Sequence, residues 1–279
     1  MLLKDKINYT KLNILMSLNK YKYFAILACL IIFSLYSAIE VKYSIDNAKY
    51  SFNTLNVLLH AFALYSNIFL VVTPIYIYII TNAIKNTNLD NYVVIRTNKI
   101  KWIENRIFTL AIYTLIYLII SFLIVVIIST FFVPWGFSWT TGVTSGFTSY
   151  FNKNFVSLNP ITVLFIIFIL LFLSLYTLSL VISLISLLFK TNFLSLCISF
   201  IMNFLILVLY KFDYALEKFW FLPYKHIFLN FRSTQTSINN IYSVKFSILY
   251  WSSFILIAIL LNLIVIEKKD LIFEVKNEI

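Results

Sequence analysis

The chain has 279 residues, of which 61% are hydrophobic and 12% charged, with a mean hydropathy of +0.91. A soluble domain carries about a quarter charged residues, so a water-soluble fold is excluded and the composition indicates an integral membrane protein. The two cysteines, Cys29 and Cys197, sit in apolar runs, which excludes a disulfide scaffold or a thiolate metal centre.

Residues 1–22 carry too many charges for a secretory leader, and no small-residue cleavage motif follows. Leu3, Ile7, Ile14 and Leu18 fall near one helical face and Lys4, Asn8 and Lys11 on another, which predicts an amphipathic helix on the inner membrane surface. A membrane-crossing helix needs about 20 mostly apolar residues. Intervals between charges supply six: about 23–39, 57–84, 107–133, 161–189, 193–210 and 246–266. The chain thus reads as one all-α transmembrane domain over 1–279, with both termini on one side.

Lysine and arginine choose that side. Fourteen fall with the termini, the 85–106 loop and Lys190, against eight on the other face, so both termini are expected in the cytoplasm. The net charge of +11 then serves topology and anionic lipid rather than nucleic acid, because no basic cluster stands on a folded soluble surface.

The second span places His60, Asn67, Pro74 and Thr81 at intervals of seven, close to one helical face. Histidine and asparagine are costly in lipid, so this stripe is expected to face a protein seam or a wet cavity, with Pro74 kinking the helix. Ser179, Ser183 and Ser186 in the fourth span, and Ser195, Ser199 and Asn203 in the fifth, read as close-packing surfaces. The loop 85–106 is too polar for lipid yet holds Tyr92, Ile95, Trp102 and Ile103. It suits either docking of a cytoplasmic partner or an interfacial linker anchored by Trp102. Outside, Pro134 to Asn159 is rich in aromatic, glycine and hydroxyl residues, with Trp135 and Trp139 as interfacial anchors.

Chemistry is sparse. The spans as drawn hold no Asp, Glu, Lys or Arg, and one histidine, so no catalytic residue or metal site is expected. No zinc-helix pair, no nucleophile elbow and no Gly-rich phosphate loop can be written from this sequence. The chain is therefore not expected to be an enzyme by itself or to bind a cofactor. ATP and Mg, if used, would sit on another polypeptide.

A surface helix, two spans, a basic loop, three spans with a tight hairpin and a final span ending in "IEKKD" resemble the permease subunits of bacterial ABC-2-type exporters. "YVVIRTNKIKWIENRI" (92–107) looks like that family's loop entering the third span, and "FLPYKHIFLN" (221–230) is similar to its Pro-containing element before the last. The resemblance implies a multi-pass protein of the bacterial plasma membrane, paired with a second permease subunit, the same or homologous. Separate cytoplasmic ABC ATPase subunits would dock on the surface helix and the loop, with Tyr92, Ile95, Arg96, Lys99 and Trp102 as coupling residues. His60, Asn67 and Asn203 are the expected pathway-lining residues. The expected cargo is amphipathic or hydrophobic, a peptide by preference, with bacteriocin immunity among the family's roles. The alternative is a non-transporting scaffold or immunity protein that binds a toxin or partner through its outer loops.

Overall fold

The computed structural model describes residues 7–8, 10, 20–48, 50–84, 99–144, 156, 158–189, 192–212, 221–227 and 244–268. Its long elements are α1 (Lys20–Ala48), α2 (Thr54–Ala63), α3 (Tyr65–Ile84), α4 (Lys99–Ser129), α5 (Pro160–Phe189), α6 (Asn192–Lys211) and α7 (Val244–Lys268). All except α2 are long and apolar enough to cross a membrane, which makes six. No strand occurs among the described residues, as expected where the solvent offers the backbone no hydrogen bonds.

Helices α4 and α5 form the centre. Helix α5 packs on α7, α6, α4, α3 and α2, while α4 also carries α1 and α2 on its other side. Helix α1 turns Leu30, Phe33, Ser34, Ser37, Ala38 and Val41 inward, the spacing of one helical stripe. Phe24, Ile32, Tyr36, Ile39 and Tyr43 face outward. Helix α3 is the most enclosed span and α7 the least.

Each end of the bundle has its own fastening. At one end Trp102 and Ile103 of α4 pack with Leu187 of α5 and Ile266 of α7, Lys22 donates to Asn82 (2.7 Å), and Thr10 meets Thr109 across 3.0 Å. Of the expected surface helix only residues 7, 8 and 10 are described, and Thr10 is buried against α4. At the other end the segment after α4 caps α2. Thr54 N–H donates to the Pro134 carbonyl and Leu55 N–H to that of Gly136, both at 3.2 Å. Asn53 and Asn56 form a reciprocal capping box, so the first-turn donors of α2 are met although all its residues are buried.

The second apolar interval is not one continuous helix. It breaks at Leu64, whose backbone is extended (φ −80°, ψ 125°), and only Tyr65–Ile84 forms the span. A wide π turn follows at Ile68–Val72, just ahead of Pro74, where the Thr73 N–H reaches back to Ile68. Two of the expected packing serines bond their own helix, Ser179 to the Tyr176 carbonyl and Ser199 to that of Ser195, while Ser186 accepts from Arg106 of α4. Before α7, Pro223–His226 is a short 3-10 helix with buried Tyr224, Lys225 and His226. His226 stacks on Tyr250 (centroids 4.0 Å), and its carbonyl accepts from the Trp251 indole (3.1 Å).

Candidate functional site: a polar clasp at the broken second span

The break at Leu64 brings His60 and Asn67 onto each other. The Asn67 amide nitrogen donates to the His60 carbonyl at 2.8 Å, which fixes which end of the amide is NH2. The same nitrogen lies 3.4 Å from His60 Nδ1. Facing a donor, Nδ1 must be the unprotonated nitrogen, so the hydrogen sits on Nε2. That atom is 3.1 Å from Oε2 of Glu40 on α1. The imidazole therefore reads as neutral, accepting from Asn67 and turning Nε2 toward Glu40, whose Oε2 has no hydrogen bond that meets the angular requirement. The Tyr36 hydroxyl, one turn back on α1, is a donor to the same carboxylate, and its ring lies 6.3 Å from that of His60.

Glu40 lies on the first apolar helix, one position past the expected end of that span. The first span was expected to stop at 39, with Glu40 as its boundary. In the structure α1 runs on to Ala48, and its apolar stretch of Tyr21–Ser44 takes in Lys22, Glu40 and Lys42. The sequence signal was a carboxylate one helical turn from Tyr36. Its partner, twenty positions away on another helix, was not legible. The two side chains differ in exposure: 2% for His60 and 45% for Glu40.

The π turn supplies the second half of the site. Its register skips one residue, and in that register the donor owed to the Phe69 carbonyl would come from Pro74, which has no N–H. Asn203 of α6 provides one instead, its amide nitrogen 2.8 Å from that oxygen. The Tyr117 hydroxyl of α4 donates to the Val72 carbonyl at 2.7 Å. Thus Asn203 is not beside His60 and Asn67. It holds the next turn of the same helix, and Thr81 bonds back to Ile77 two turns further on.

Of the expected coupling residues, Tyr92, Ile95 and Arg96 lie outside the described residues. Lys99 begins α4. Trp102 is 1% exposed, with the Arg106 guanidinium 5.2 Å from its ring centroid, so it is an internal joint rather than a contact surface. Arg106 also reaches Ser186 at 3.4 Å. Among the described residues no three His, Cys, Asp or Glu side chains gather as a metal site.

Fold and site define a multi-pass helical membrane protein whose most enclosed span is broken and braced by side chains from its neighbours. No family model, curated protein or solved structure matches the chain.

Proposed function

We propose that the chain is the membrane-spanning permease subunit of an ATP-driven ABC exporter in a bacterial plasma membrane. It pairs with a second permease subunit and with cytoplasmic ABC ATPases, which hold the ATP and Mg. The cargo is an amphipathic or hydrophobic molecule, a peptide by preference. The observation that carries this reading is the interrupted α3, with its extended residue, its π turn and its polar braces Asn67, Asn203 and Tyr117. Irregular backbone at membrane depth is tolerated only where protein or a water-lined route surrounds it, and transporters build their sites from such discontinuous helices.

The joint at Trp102 supports a coupling role for the preceding loop. It ties the start of α4 to the ends of α5 and α7, so a push delivered there moves three spans as one body. The test is a mild-detergent pull-down of the tagged chain from its host, read by mass spectrometry. A near-stoichiometric soluble ATPase with a Gly-rich phosphate loop is the expected result. Its absence, with the chain folded and recovered, overturns the exporter reading.

One observation favours the alternative, a scaffold or immunity protein working through its outer face. The segment 134–141 is built rather than loose. It is bonded to Ser51, Asn53, Thr54 and Leu55, and it presents an exposed Trp135. Under that reading, removing residues 136–149 abolishes activity and no ATPase co-purifies.

A further inference from the structure

Glu40 poses an electrostatic problem that the described residues do not solve. Its side chain is 45% exposed on a helix long and apolar enough to cross a membrane, and a carboxylate at lipid depth is expensive. The helices packed most extensively on α1 are α2 and α4, while α3 meets it through Asn82 at Lys22. Helix α2 has no Asp, Glu, Lys or Arg, and the cations of α4, Lys99, Lys101 and Arg106, lie at the Trp102 end. On α1 itself, Lys42 is two positions on and points about 200° around the helix. With His60 neutral, the Glu40–His60 pair keeps a formal charge of −1 in a chain whose net charge is +11. Beside it the Ser37 hydroxyl, fully buried one turn back on α1, has no hydrogen-bond partner.

We propose that Glu40, presented by His60 and Tyr36, is a binding site for a primary ammonium group carried by an amphiphile. The coordination selects this chemistry. A metal ion lacks ligands, since no third acidic, histidine or cysteine side chain joins the pair among the described residues. A guanidinium binds best as a fork across both carboxylate oxygens. Here Oε2 is already covered by His60, and its own accessible surface is nearly nil. The other oxygen is the exposed one, and a compact three-donor ammonium fits there beside the Tyr36 hydroxyl. The outward rings of Tyr36 and Tyr43 flank it on the same helix and add attraction for a cation. The apolar surface around them, Ile32 and Ile39, accommodates an alkyl chain or apolar side chains attached to the amine. Two sources share this chemistry: the amine of a transported amphiphile and the headgroup of an aminolipid. The first case rests on the exporter reading. The binding itself does not require an ATPase.

The test is equilibrium binding of labelled n-octylammonium to the full chain in phosphatidylcholine nanodiscs, with empty discs subtracted. Saturable binding is expected, displaced by unlabelled octylammonium, only weakly by octylguanidinium, and not by octanol or octyl sulfate. Glu40→Gln should weaken binding about tenfold or more, the loss expected for one charge-assisted contact. Glu40→Asp should keep the preference for ammonium. Equal binding by the Gln variant, no saturable binding over empty discs, or equal displacement by octanol or octylguanidinium overturns the proposal. The displacement series is read on the wild-type chain, so it decides even if the Gln variant does not fold. Discs containing phosphatidylethanolamine separate the sources. If they abolish octylammonium binding, the resident ligand is the lipid headgroup; if binding persists, the site is reserved for a free amphiphile. Both outcomes require the ammonium site. Recovery of an ATPase in the pull-down is independent of every arm, so the two readings fail separately.

Discussion

Replacing Asn203 by leucine removes a single donor from the π turn and leaves side-chain volume nearly unchanged. The Asn203 amide is 2.8 Å from the Phe69 carbonyl, and Pro74 cannot supply the missing N–H. Hydrogen bonds between membrane helices average about 0.6 kcal/mol and reach about 1.7 kcal/mol. Stranding a buried acceptor costs about 1–3 kcal/mol. Asn203→Leu should therefore destabilise the protein by about 1–2 kcal/mol. The accompanying loss of the nearly buried Asn203 carbonyl oxygen, which has no partner, pulls the estimate toward the lower end. The physical argument makes a sharper demand on the double variant. Pro74→Ala restores an N–H that reaches Phe69 in the π register, while the α register would let Thr73 serve that carbonyl. Combined with Pro74→Ala, Asn203→Leu should keep less than half of its effect, a coupling of about 1 kcal/mol. The assay is reversible unfolding in mixed micelles, followed by far-UV circular dichroism, for the four members of the cycle. Additive effects, or a single Asn203→Leu variant within about 0.3 kcal/mol of wild type, would refute the account of Pro74 and Asn203 as replacement partners.

Trp102→Ala should cost about 3 kcal/mol, since it empties a buried joint that also seats Arg106, and Trp102→Phe should recover much of it; thermal unfolding in detergent checks both. Gly136→Ala places a Cβ 3.1 Å from Asn53 Nδ2, which already donates to Ser138 at 2.9 Å, so the cap of α2 must shift. A loss of about 1 kcal/mol is expected, and hydrogen exchange should rise at the start of α2 while α7 is unchanged. Charge reversal at Arg96 and Lys99 should lower partner-stimulated ATPase activity at unchanged expression; retained coupling would place the partner elsewhere.

The sequence by itself determined that there are six long apolar helices. Apolar runs of span length have one solution in lipid, where every backbone group must be satisfied within the segment, and hydropathy is a local property that needs no tertiary information. The polar stripe of the second span was legible for the same reason: His60 and Asn67 stand out because their cost in lipid is intrinsic. What they touch was not legible. Alanine, phenylalanine and leucine around Leu64 carry no breaking signal, and the break takes shape only with α2 capped by a loop some eighty residues away and clasped by Asn67. Asn203 read as one more pathway residue until the fold set it on a carbonyl 134 positions distant. Glu40 read as the end of a span, because a charge is the usual stop. Only packing against α2 decided that the helix continues past it, with a buried histidine there to receive one of its oxygens. Local composition fixes which segments enter the membrane, while the pairing of their few polar groups depends on which helices become neighbours.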